Sequence, residues 1–255
     1  MDLDGRTVLI VLAHPEPASF TAGWARASAD AARAAGARVI WSDLNAMGFD
    51  PVEGPRHYRT PPAPFDPLKA HEAAVASGTV PTDAQAEADK IAAADLIVFH
   101  FPIWWFGPPA ILKGWLDRCL IHGALHDVDH RFDTGRLRGK RALFCVTTGA
   151  NAVECGPGGK EGDVHLLLWP LAYTLRYCGM AVHEPVLIHG VHGYFEGAEE
   201  AALEVRLSAA LEDHARLIRE IDRHPLIPFN ADTDFDETGR LRPDAPSHSP
   251  FIRRP

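Results

Sequence analysis

Five apolar runs, at residues 7–13, 39–42, 96–101, 142–146 and 182–188, alternate with helical patterns at about 20–35, 83–94, 109–120, 164–177 and 198–223. No other feature constrains the fold as much. Parallel strands need a crossover of a dozen or more residues, normally a helix, so the alternation predicts an α/β fold with a parallel sheet covered on both faces. Open sheets of this kind take ligands outside the carboxyl ends of their strands, where the strand order reverses. Three loops at those ends, 14–21, 102–107 and 147–151, are the segments that packing explains least.

The chain is long enough for one sizeable core, and 255 residues with 46% hydrophobic and 23% charged side chains are ordinary for a globular protein. We expect a single domain over residues 1–224 and an extended tail over 225–255, where the composition turns to Pro, Asp and Arg. The segment 48–82 reads as a long, functional or interfacial connection. A net charge of −9 argues against sequence-independent nucleic-acid binding. No run approaches a membrane span, and the acidic Met1-Asp2-Leu3-Asp4 start does not resemble a signal peptide, so the expectation is a cytoplasmic enzyme.

Four cysteines, Cys119, Cys145, Cys155 and Cys178, are too widely spaced for a zinc ribbon or a disulfide framework. Three lie in apolar surroundings and read as packed thiols. Cys155 differs, because it lies in a glycine-rich loop. No metal site is assigned, although His122, His126 and His130, interleaved with Asp127 and Asp129, could hold a divalent ion if that segment were helical. Gly123 argues against the helix.

The first loop lacks Gly-x-Gly-x-x-Gly, which disfavours a dinucleotide-binding Rossmann domain. Its Ser19 and Thr21 hydroxyls, the first N–H groups of the following helix and His14 could instead cradle a pyrophosphate, although Ser19 alone reads first as a helix cap. Trp104, Trp105 and Phe106, at the end of an apolar strand, are costly to leave in water and read either as the lining of something flat or as packing under a loop.

Resemblance separates these readings. The stretches Leu12-Ala13-His14 with Ser19-Phe20, Phe101-Pro102-Ile103-Trp104-Trp105-Phe106-Gly107 with the helix to Arg118, Thr147-Thr148-Gly149, Gly162-Asp163 and Leu168-Trp169-Pro170 resemble the NAD(P)H:quinone oxidoreductase family, the DT-diaphorase group of flavodoxin-like flavoproteins. The likeness covers most of residues 6–190. It implies a doubly wound five-stranded sheet in the order 2-1-3-4-5, FAD as cofactor, NAD(P)H as co-substrate, a small-molecule electron acceptor and a homodimer. By the same resemblance, the FAD phosphates sit at His14, Ser19, Phe20 and Thr21. The isoalloxazine ring contacts Pro102, Ile103, Trp104, Trp105 and Phe106, and Thr147, Thr148, Gly149 and Ala150 run along its other side. Asp66, with Phe65, and Asp117 near the dimer interface would complete the adenine end. Substrate would meet Trp105, Phe106, Gly149, His126 and Val128, the last two in the loop, 122–130, where the family carries tyrosines.

The likeness breaks at the family's tyrosine and histidine relay. Counted without a gap from Thr147-Thr148-Gly149 to Trp169-Pro170, those positions fall on Cys155 and Glu161. A carboxylate there cannot donate a proton unless its pKa is strongly raised. Hydride transfer needs only stacking and close approach, so the expectation remains an oxidoreductase acting on a quinone-like or other small organic acceptor. Two alternatives stay open: a nitro, azo or specialised-metabolite substrate on the same scaffold, and a regulatory flavoprotein subunit of an ion-efflux system.

Overall fold

The computed structural model describes residues 2–253. Strands β1 (Thr7–Leu12), β2 (Arg38–Asp43), β3 (Leu96–Pro102), β4 (Arg141–Thr147), β5 (Ala181–Val182) and β6 (Val186–Ile188) form one parallel sheet in the order 2-1-3-4-5, with β6 also on β4. Helices α1 (Phe20–Ala34), α2 (Pro67–Ser77), α3 (Thr82–Ala93), α4 (Ala110–Cys119), α5 (Val164–Tyr177) and α6 (Ala198–Arg219) complete the α/β architecture.

Alternate residues of the central strands feed two cores, as period-2 geometry requires. Leu9, Val11, Ile97, Phe99, Phe101 and Phe144 meet α3, α4 and α5 on one face. Val8, Ile10, Leu12, Val98 and Leu143 meet α1 and α6 on the other. Strand β3 is buried along its whole length, which is why its sequence is a continuous apolar run.

The expected elements form, with two differences. Residues 182–188 are not one strand: β5 and β6 pair separately with β4. Pro185, between them, has no N–H for the ladder. The 48–82 connection contains α2, which begins at Pro67, is capped by the Asp66 carboxylate on Leu68 and Lys69 N–H, and ends on left-handed Gly78. These cap, first-turn and stop signals are visible in the sequence.

The tail lies on its own domain. Glu184 N–H donates to Pro225 C=O and Ile227 N–H to Val182 C=O, so the tail covers the β5 edge. Phe251 stacks on Trp169 of α5 with centroids 5.1 Å apart, and Asn230 C=O accepts from the Arg176 guanidinium. The edge contact includes a buried histidine, His183, whose Nδ1 donates to His224 C=O at 2.9 Å. Burial, aided by the charges of Arg141 and His224, pushes His183 down to about 4, against the opposing effect of that hydrogen bond. The unfolded chain holds this proton at about 6.5, so it binds more protons than the native state between those values, and stability falls as pH drops through that window. Urea midpoints should therefore decline from pH 7 to pH 5. His183→Asn should be less stable at neutral pH and lose part of that decline, by about 1 kcal/mol per pH unit at most; an unchanged slope would contradict the assignment.

Candidate functional site

The site is built on the carboxyl ends of β1, β3 and β4. After β1, His14 Nδ1 accepts the Glu16 N–H at 3.0 Å. Ser19 caps α1 through Ala22 N–H at 3.2 Å. The N–H groups of Phe20 and Thr21 have no protein acceptor among the described residues, and an anion favours such a helix start. Thr21 itself differs from expectation: its hydroxyl is buried and faces the Thr147 hydroxyl at 3.3 Å. An anion there would meet backbone N–H groups rather than that side chain.

After β3 the chain reverses abruptly. Trp104 and Gly107 exchange backbone hydrogen bonds at 2.9 and 3.2 Å around Trp105 and Phe106, which have φ of 50° and 63°. Two successive positive φ angles are the mark of a type I′ turn, normally filled by Asn or Gly. Holding two aromatic residues there costs of order 1–3 kcal/mol each, and packing within the chain does not offset it, since Trp105 is 95% and Phe106 54% exposed. The turn displays flat rings and free N–H groups at the sheet edge.

After β4, Thr148 is the centre of a small network. Its hydroxyl donates to Ala150 C=O at 2.8 Å, faces His189 Nδ1 at 2.8 Å and accepts the Cys155 thiol at 3.6 Å. His189 follows β6, and burial lowers its pKa, with His165 and Arg206 acting in the same direction. Sequence reasoning passed over His189, although its place just beyond the last strand puts it on the same sheet edge. A cavity of about 210 Å³ brings together Ile103, Trp105, Phe106, Thr148, Gly149, Ala150, Cys155 and Glu161, with Val164 and Leu167 of α5 behind them. Cys155 is buried, and Lys160, the nearby cation, pairs with Glu154 at 2.9 Å.

The other expected site residues lie elsewhere on the chain. Asp117 and His126 line a larger, mostly apolar cavity of about 570 Å³ between α2, α4 and α5, with Trp169, Tyr173 and Phe251. Asp66 is spent on the α2 cap, and Val128 is exposed. Within one chain His126 and Val128 do not line the cavity of Trp105. The histidine-rich segment is not helical: the His122 and His126 rings meet edge to face with centroids 5.1 Å apart, but His122 Nε2 faces Glu72 and His126 Nε2 faces Leu120 C=O, while His130 faces Asp127. Cys119, Cys145 and Cys178 are buried free thiols whose pKa burial raises, to about 12 for Cys178.

A sequence profile of the flavodoxin-like fold matches residues 6–212, and the chain belongs to that family. It is 37% identical over 191 residues to rat NAD(P)H dehydrogenase [quinone] 1, an alignment covering 73% of this chain and 69% of that protein. It is 39% identical over 186 residues to human ribosyldihydronicotinamide dehydrogenase [quinone], covering 71% and 80%. Among solved structures, a candidate quinone reductase from Klebsiella pneumoniae superposes with a TM-score of 0.83 at 29% identity over 94% of this chain and 95% of that one. Within the flavodoxin-like family the chain groups with the NAD(P)H:quinone oxidoreductases and is an oxidoreductase.

Gly149 gives the site a test independent of turnover. A Cβ at this position would meet no protein atom within 4 Å, so the fold does not demand glycine here. Gly149→Val should leave the melting temperature of the flavin-free protein unchanged and weaken flavin binding roughly ten- to a hundredfold, 1.4 kcal/mol per factor of ten. Unaltered flavin affinity by fluorescence titration would move the ring elsewhere.

Proposed function

We propose that the protein is an FAD-dependent oxidoreductase that carries hydride from NAD(P)H to a quinone-like or other small organic acceptor. The strained aromatic turn carries this reading: exposed Trp105 and Phe106 stand beside the open Gly149 face, with unpaired N–H groups on both sides. The residues fit a flavin. The start of α1, with His14 and Ser19–Thr21, would hold the pyrophosphate, and Pro102–Phe106 with Thr147–Ala150 would hold the ring. When bound, the flavin supplies two-electron chemistry between a nicotinamide and an acceptor.

The chain's own task is then to stack, orient and exclude water. Trp105, Phe106 and Gly149 would form the face on which donor and acceptor alternate. The outlying residues favour a homodimer: Asp117 and His126 line the second cavity of each protomer, Asp66 caps the helix whose Pro67 and Leu68 also line it, and Val128 is exposed at a neighbouring cavity. A second copy would bring its His126 and Val128 over the first cavity and its Asp66 and Asp117 to the adenine end, and would cover apolar surface. We place the enzyme in the cytoplasm; no helix among the described residues is long and apolar enough to cross a membrane.

Cys155 and Glu161 give this cavity its own character. The thiol proton is directed at Thr148 Oγ1, and Glu161 adds a carboxylate. Neither offers a proton to charge developing on the ring. One charge-assisted hydrogen bond is worth about 1.5–3 kcal/mol, so restoring it with Cys155→Tyr and Glu161→His together should speed anaerobic reduction by NAD(P)H by roughly one to two powers of ten. Each single change should recover less. If the double variant is no faster in stopped flow while Glu161→Gln abolishes turnover, Glu161 serves a different chemistry and the quinone reductase reading fails.

A further inference from the structure

Four polar side chains from four elements converge inside the molecule, on the sheet face that α1 and α6 cover. His100 of β3 and Cys145 of β4 are direct register partners and present their side chains to the same side. Ser28 of α1 and His214 of α6 meet them from above. All four are buried, none more than 2% exposed. Ser28 Oγ lies 2.9 Å from His100 Nε2 and 2.6 Å from His214 Nε2, and Cys145 Sγ lies 4.0 Å from His214 Nε2. The ligand atoms of His100, Cys145 and His214 all lie within 4.8 Å of one another. Trp24 packs edge to face against both imidazoles, with centroids 5.4 and 5.2 Å away, and fixes their planes.

Hydrogen bonding alone serves this cluster poorly. Ser28 Oγ can donate to one Nε2 and accept Nε2–H from the other, which leaves the far nitrogen of each imidazole to be satisfied elsewhere. Neither Nδ1 has a protein partner among the described residues. Apolar side chains of similar volume would fill the space without the cost of burying polar groups that are only partly satisfied. Two imidazole nitrogens and a thiolate converging from separate elements are instead a donor set for a borderline-soft divalent ion.

We propose that His100 Nε2, His214 Nε2 and Cys145 Sγ bind a single zinc-class metal ion, with Ser28 Oγ as the fourth ligand. Tetrahedral bonds of about 2.0–2.3 Å require donor separations of roughly 3.3–3.6 Å, so the Ser28–histidine separations of 2.9 and 2.6 Å would open and the Cys145–His214 separation of 4.0 Å would close on binding. Both histidines bind as neutral ligands and Cys145 gives up its proton to solvent as the ion enters. Full burial leaves no open coordination position, which makes the site structural: it pins α1 and α6 to the centre of the sheet behind the aromatic turn.

The full-length protein produced in zinc- or cobalt-supplemented medium tests this. Wild-type protein should retain one ion per chain through native chelator treatment and release it on unfolding. The cobalt form should show a near-ultraviolet thiolate-to-metal band and the strong visible bands of four-coordinate cobalt. Cys145→Ser should lose the near-ultraviolet band and bind less metal, with native circular dichroism; His214→Gln should lose the metal. Should either variant not fold, the wild-type spectrum and metal content decide by themselves. Folded wild-type protein free of metal from both media would overturn the proposal, as would metal retained undiminished in both variants, which would assign it to histidines elsewhere.

Discussion

The parallel pairing of β1, β3 and β4 is the constraint on which everything else depends. Each of these strands must be followed by a crossover, so all three release their chains at the same edge. The His14, Trp105 and Gly149 loops are adjacent for that reason alone, although about 90 and 45 positions separate them in sequence. Burial of the strands on both faces makes the platform rigid enough to hold a strained turn. The turn then carries aromatic rings that the core does not need.

The chemistry of the site is set by what surrounds Thr148. Its hydroxyl is engaged by Ala150, His189 and Cys155, which ties the loop after β4 to the ends of β6 and to the glycine-rich segment beyond. Glu161 then supplies the carboxyl group lining the cavity beside Trp105 and Phe106. Relatives named as quinone dehydrogenases define the class of reaction, while these residues give this chain its particular pocket.

Much of the fold was legible because burial on both faces writes itself as apolar runs: β3 emerges one residue longer than expected and α5 to the residue. Helix α2 was hidden by the Pro and Gly around it, although Asp66-Pro67 and Gly78 mark its ends. The fifth strand reads as continuous because apolar residues lie on both sides of Pro185, which breaks the ladder into β5 and β6. At the site, Trp105, Gly149, Cys155 and Glu161 were found together as loop residues of neighbouring strands. The resemblance also put His126 with them and Asp117 at the adenine end, but within one chain both line a second cavity, because tertiary packing and assembly are not encoded in periodicity. The cluster of Ser28, His100, Cys145 and His214 left no motif at all, because each member comes from a different element.

The central claim is that the crevice at the ends of β1, β3 and β4 holds FAD, completed by a second copy of the chain. Size-exclusion chromatography with light scattering and on-line absorbance, followed by denaturation and identification of the released flavin, tests both parts at once. The account predicts FAD at about one per chain, eluting with a particle of twice the chain mass of 27.8 kDa. FMN, a colourless protein that ignores added flavin, or a flavin-loaded monomer with full activity would contradict it.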